Sequence, residues 1–453
     1  MTEELDSFIS EKIDNALHHF SISEKVVLAK HIMAQAQSTV KTAAIHGILR
    51  SSDNLAALEK LVQTLGVDEL LKLEDEKLAN LVAYAVYHPM LDKASMPSPL
   101  SPKASFVDII QAFSELEAAI IERVHIIHDN QQLKDTKIAK EYIAMGSELL
   151  TELSQRRKTS GTNLHKLRYT HNIVLEKIDL AFTHGVHAAD SPARRTVMGD
   201  VIPGVAWRLS ELAAVREALE ILPQIRILNT PKLTTIERVQ DLGRGVMGAR
   251  YPDGTIRIAD FAIDMPSIER IFPGYSSLTG VLVHELLHGI QLGAESGGVS
   301  QNETGELSIE AGERIIDFDE FVKISGWTPI AEDRWEPMYD GTAIKLDGEV
   351  YQLGVPVVHQ GEAIIVTFSR GTVFTRKAFT GFSLDLYSST NPWEDFAETA
   401  TEYFLAPERL IQLAPEKFQY FEQEFGAFKD REDLKKMLED SLKKFREKYG
   451  DKK

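Results

Sequence analysis

Two histidines four residues apart stand in the run His284-Glu285-Leu286-Leu287-His288. On a helix, four residues advance about 400°, so both imidazoles lie on one face, one turn apart. Two ring nitrogens can then reach one zinc ion at about 2.0–2.1 Å each. Glu285 falls about 100° round from His284, at the edge of that face. From there its carboxylate can reach a metal-bound water rather than the metal, which is the position of a general base. The plainer alternative is an amphipathic helix that happens to hold two histidines. The flanks weigh against it. VLVHELLHGIQLGA is rich in Leu, Val and Gly, so the polar trio interrupts a helix that otherwise reads as buried. Buried His and Glu need partners.

A catalytic zinc takes three protein ligands and keeps one position open. In the metzincin arrangement the third histidine would fall at 294, after a glycine at 291; the chain has Ala294 and Gln291. There is no cysteine, so the ligand must be His, Asp or Glu. The run NPWEDFAETATEYFLAPERL (391–410) offers Glu394, Glu398 and Glu402, each four apart and on one helical face. Like charges at that spacing repel on an isolated helix, and a cation beside them converts repulsion into binding. A solvated acidic face is the competing reading. Against it, Trp393, Phe396, Ala397 and Phe404 supply apolar surface for a packed helix. Spacing alone does not separate Glu394 from Glu398 as the ligand.

Taken with HELLH, the stretch YSSTNPWEDFAETATEYFLAPERLIQLAPEKFQYF (387–421) resembles the catalytic domain of the lethal-factor and Pro-Pro endopeptidase family of zinc peptidases. In that family a tyrosine lies seven residues before the glutamate ligand, and a second glutamate follows four residues after it. Tyr387, Glu394 and Glu398 have those spacings. The resemblance covers roughly 276–295 and 384–424, reaches the hairpin at 244–260 less clearly, and does not cover 1–225. It implies zinc held by His284, His288 and Glu394, with Glu285 as general base. It implies that Glu398 steadies a ligand through a histidine N–H, and that Tyr387 offers its phenol to the developing oxyanion. It also implies that Thr255, Ile256, Arg257, Ile258 and Ala259 form the edge strand along which an extended peptide lies. The chain departs from the family in the separation of His288 and Glu394, which is 106 residues. The excess is a strand-rich stretch around 326–382, so a Pro-Pro preference does not carry over.

The elements that must position these residues can be read coarsely. Residues 1–92 read as short helices, with Ile9, Ile13, Leu17 and Phe20 at helical spacing. KASMPSPLSPKAS (93–105) reads as a linker or long loop. Residues 106–225 are helical, with a break at KTSGTN (158–163). Pro252-Asp253-Gly254 marks a hairpin turn within 244–260. The HELLH helix is expected to start at Ser276 or Ser277 and to stop at Gly297-Gly298. VYQLGVPVV, EAIIVTF and GTVFTRKAF read as strands, and 391–450 as helices. The expected class is α+β. A largely helical half, 1–225, precedes a zincin-type catalytic domain over 226–453, which carries the strand-rich insertion.

Composition sets outer bounds. With 43% hydrophobic and 26% charged residues, this reads as a soluble globular chain. A net charge of −18 argues against nucleic-acid binding, which needs a basic surface. No apolar run of membrane-spanning length is present. The acidic start MTEELDSFISEKID lacks a secretory layout, so a cytoplasmic protein, or one exported without a signal, is expected. The partner is a protein or peptide substrate, which residues 1–225 could recruit or occlude. The reading from another class is a helical interaction protein with a structural or inactive metal site. Glu122 and His125 form a Glu-x-x-His pair without the second copy a di-iron bundle needs. His18, His19 and His128 read as surface or capping residues, and nothing in the sequence decides His359.

Overall fold

The computed structural model describes most residues between 83 and 449, leaving out 223–233, 292–297, 302–306, 311–317, 378–389 and some shorter stretches. The expected helices before residue 83 lie outside the described residues. The chain is mixed α and β and divides into two compact units, one ending at Asp260 and the other beginning at Phe261. No helix among the described residues is long and apolar enough to cross a membrane.

The first unit is built on three long helices, α1 (Phe106–Asp129), α2 (Lys137–Ser160) and α3 (Leu164–Phe182). Their apolar stripes meet in one core that includes Phe113, Ile120, Tyr142, Leu149, Ile178 and Phe182. The expected break at 158–163 is real. α2 ends at Gly161, and the Asn163 side chain caps α3 by accepting from Lys166 N. The Pro/Ser-rich stretch before α1 is fastened down. Buried Arg123 donates to the carbonyls of Ala94 and Ser95, Arg168 to that of Ala104, and Leu100 N to Asn172 Oδ1 at 2.9 Å.

A four-stranded sheet follows, formed by β1 (Val186–Asp190), β4 (Thr234–Val239), β5 (Gly248–Arg250) and β6 (Thr255–Ala259) in the order β1-β4-β6-β5. A two-stranded pair, β2 (Arg194–Arg195) and β3 (Val201–Ile202), and helix α4 (Leu209–Ile221) lie between β1 and β4 in sequence. β1, β4 and β6 run parallel and β5 is antiparallel to β6. The hairpin at 244–260 is therefore present, in the same compact unit as the helices that precede it. Thr255–Ala259 is not an edge strand, contrary to the expectation. β6 is paired on both sides, with β4 and with β5, so its ladder groups are taken; the strand at that edge of the sheet is β5.

Lys177 is almost wholly buried where α3 meets β1. Its Nζ donates to Glu152 at 2.8 Å and to Asp190 at 3.0 Å, and Arg156 pairs with the same two carboxylates. Burial pushes the Asp190 carboxyl up, but Lys177 and Arg156 outweigh it and hold the group below its usual range. A depressed pKa contributes stability above the unfolded value, and that stability is lost as pH falls. Asp190→Asn is expected to cost on the order of 1–3 kcal/mol at neutral pH, with the deficit shrinking from about pH 5 downwards. Urea unfolding at neutral and acid pH checks this; a deficit independent of pH would show that no ionised Asp190 is at work.

The second unit opens with α5 (Ser277–Gln291), then the pair β7 (Gly298–Gln301) and β8 (Leu307–Glu310), and α6 (Phe318–Ile324). The strand-rich stretch forms two antiparallel sheets. One is β10 (Trp335–Pro337), β11 (Ala343–Leu346) and β12 (Glu349–Gln352). The other takes the order β13 (Pro356–His359), β14 (Glu362–Ser369), β15 (Thr372–Lys377) and β9 (Thr328–Ile330). Asp347 and Gly348, at φ 50° and 89°, make the two-residue turn between β11 and β12, a conformation that Asp-Gly suits. Ile344, Leu346, Tyr351, Val366 and Val373 join the two sheets in one small core. Four helices close the chain: α7 (Pro392–Leu405), α8 (Pro407–Leu413), α9 (Pro415–Phe425) and α10 (Glu432–Tyr449). An aromatic cluster that includes Phe318, Phe321, Trp393, Phe396 and Phe421 packs α6, α7 and α9 together.

Candidate metal centre

The first wall of the site is α5. Ser276 is its cap: its Oγ accepts from Thr279 N at 3.0 Å. Ser277 anchors the start of the helix by donating to the carbonyls of Ala262 and Ile263. Gly280 permits a close approach, since a Cβ there would lie 2.9 Å from Ile268 Cγ2 and 3.2 Å from Phe272 Cδ2. Leu278, Leu282, Val283, Leu286 and Leu287 are all buried. This apolar helix carries His284 and Glu285 into the interior, 8% and 6% exposed, while His288 is half-buried.

The second wall is α7, which packs against α5. Asn391 caps it, its Oδ1 accepting from Trp393 N at 2.9 Å and Glu394 N at 3.0 Å, and Pro392 occupies the first helical position. Trp393, Phe396 and Ala397 are buried, so this is the packed helix expected rather than a solvated acidic face. The three glutamates on one face divide their partners. Glu394 and Glu398 meet the histidines, whereas Glu402 is buried against Arg409.

His284 Nε2 and His288 Nε2 lie 3.0 Å apart, and each is 3.2 Å from Glu394 Oε2. The rings are nearly perpendicular, at 86°. Ligands on a tetrahedral ion with bonds of about 2.0–2.1 Å stand roughly 3.3 Å from one another. The three donor atoms are therefore at about the mutual spacing that such an ion demands. The donor set agrees with the geometry. Two imidazole nitrogens and a carboxylate oxygen converge on one point, and few protons can be shared among them. The group could hold a metal ion; among the described residues it is the one set of three His, Cys, Asp or Glu so arranged.

The electrostatics express the same convergence. Burial alone would push the Glu394 carboxyl up, but the hydrogen bonds and charges of His284 and His288 hold it far below the usual carboxylate range. Burial likewise opposes charge on His284, yet Glu394 and Glu398 raise its pKa well above the ordinary value. Without an ion, each group stabilises its partner's charged form; a bound cation would take the place of the histidine protons and stabilise the carboxylate itself. On the far side of the ring, His284 Nδ1 lies 3.3 Å from Glu398 Oε1. A carboxylate there fixes ring orientation and makes the imidazole a better donor through Nε2.

Of the remaining sequence candidates, Tyr387 lies outside the described residues. Thr255–Ala259 belongs to the first unit. Glu122 and His125 are exposed on α1, and His128 lies in its last turn. His359 sits within the strand-rich stretch, its Nδ1 against Tyr351 Oη, which donates to Glu349 at 2.5 Å. Asp395, Arg376, Lys417 and Trp327 were not singled out by sequence. Asp395 is wholly buried beside Glu394. A charged residue between Glu394 and Phe396 on a helix with so much apolar surface was the available signal. Comparison with known proteins returns no matching family model, curated relative or solved structure.

Proposed function

We propose that this protein is a zinc-dependent endopeptidase with a zincin-type catalytic centre. The reading rests on one observation above all: two imidazole nitrogens and the Glu394 carboxylate meet within 3.2 Å of one another, beside Glu285 and backed by Glu398. Nitrogen and oxygen donors at tetrahedral spacing favour zinc. Three protein ligands leave a coordination position open, as a catalytic rather than a structural site requires. When bound, the ion supplies Lewis-acid polarisation of a carbonyl and lowers the pKa of a water molecule.

The chain's own residues do the rest. Glu285, next to His284 on α5, takes a proton from the attacking water and passes it to the leaving amine. Glu398 holds the His284 ring in place through Nδ1. Tyr387 donates its phenolic hydrogen to the substrate carbonyl oxygen as charge develops there.

Purified protein is expected to contain one zinc per chain by elemental mass spectrometry, lost in His284→Ala, and to cleave peptides until a chelator is added. Wild-type protein that takes up no zinc, even when zinc is supplied in slight excess, would remove the mechanism. It would leave the helical interaction module as the better account.

A further inference from the structure

Behind the ligand helix lies a group of buried charges that the proposed chemistry does not use. Asp395 directly follows Glu394. Its Oδ2 accepts from Trp327 Nε1 at 3.0 Å and from Arg376 Nη1 at 3.0 Å. Its Oδ1 accepts from Lys417 Nζ at 2.6 Å and from Thr399 Oγ1 at 3.3 Å. The side chains of Arg376, Lys417 and Asp395 are 2%, 1% and 0% exposed. Three donors reach in from outside α7: Trp327 from just before β9, Arg376 from β15 and Lys417 from α9.

Two cations thus face one anion in the interior. Their excess charge is set against aromatic faces, with Arg376 4.3 Å from the Trp327 ring centroid and Lys417 5.3 Å from that of Phe321. A buried ion pair is weak evidence for stability, because apolar residues of the same volume often serve as well. What directional donors supply instead is a fixed geometry. The residue they fix is one peptide unit from the only carboxylate that meets both histidines among the described residues.

We propose that Asp395, Arg376, Lys417 and Trp327 form a positioning cluster for the metal centre. It clamps the first turn of α7 to the strand-rich stretch and so sets where Glu394 stands. The sheet at 328–377 is then a buttress for a ligand. The proposal rests on the reading of His284, His288 and Glu394 as metal ligands.

The test is the zinc dissociation constant of the full chain, measured by competition with a chromophoric chelator, with circular dichroism to confirm folding. Arg376→Met is expected to weaken zinc binding by roughly 10- to 100-fold, the scale on which outer-shell partners act. Arg376→Lys should recover part of the loss. Trp327→Phe keeps a ring for Arg376 and removes one N–H, so it should weaken binding by a smaller factor while folding normally; it decides the matter should Arg376→Met not fold. Folded variants that bind zinc as tightly as wild type would overturn the positioning role and leave the metal site standing. A wild-type chain that binds no zinc would overturn both.

Discussion

Glu285→Gln is expected to end peptide hydrolysis while leaving the zinc in place. The substitution keeps the side chain's length and shape, so the buried packing of α5 is undisturbed. It touches none of the three atoms that meet at the centre. What it removes is a proton acceptor one residue from His284. General acid–base groups contribute typically about 10²–10⁴-fold to rate, and Glu285 is assigned both transfers, so a loss toward the upper end of that range is expected. Peptide turnover and zinc content should be measured on the same preparation. Wild-type turnover in a variant that still carries zinc would dismiss Glu285 as the base. Loss of zinc together with activity would instead make Glu285 part of the binding site.

Asp395→Asn should produce the largest loss of stability of any single change near the site. The amide nearly matches the carboxylate in shape, so the effect reports charge. Without Asp395, the Arg376 guanidinium and Lys417 ammonium remain almost wholly buried with no carboxylate shown between them. Breaking a buried pair in this way costs about 3–5 kcal/mol, a large part of the roughly 5–15 kcal/mol that holds a domain together. Burial already draws the Lys417 pKa down, against the pull of Asp395. In the variant that opposition is gone, Lys417 sheds its proton more readily, and the deficit should narrow at alkaline pH. Urea unfolding of wild type and variant at neutral and alkaline pH measures both effects. A cost of a few tenths of a kcal/mol, the scale of a surface substitution, would show that the cluster is not charged as drawn.

Local chemistry made parts of this molecule legible in advance. The serines before HELLH announced a helix start, and Ser276 is its cap. EAIIVTF and GTVFTRKAF read as strands and correspond to β14 and β15, whereas VYQLGVPVV, read as one strand, divides between β12 and β13. Four-residue spacing put Glu394, Glu398 and Glu402 on one face. Which of them meets the histidines is decided by how α7 lies against α5, and no spacing within α7 contains that information. The sheet of the first unit failed for a related reason. The resemblance implied that β6 is an edge strand, but β4, the strand just before the hairpin, pairs in parallel with its other side, a partner that the hairpin's own turn residues do not specify. The Asp395 cluster was hidden most completely. Its members, at 327, 376, 395 and 417, share no period and assemble only when a strand, the residue leading into another strand, and two helices are already in place.

The stretch 93–105, with its prolines and serines, looks like the obvious place to shorten the chain. Arg123 makes it a poor one. That guanidinium sits inside the first unit at 1% exposure and spends its hydrogens on the carbonyls of Ala94, Ser95 and Ala119. A fragment beginning at 106 would keep the charge and discard the acceptors at Ala94 and Ser95. It would also strip Met96, Leu100 and Ala104 from the apolar surface they cover. The trimmed protein would then expose an apolar face beside a buried cation that has lost those two carbonyls, and would be prone to aggregate because its cover is gone.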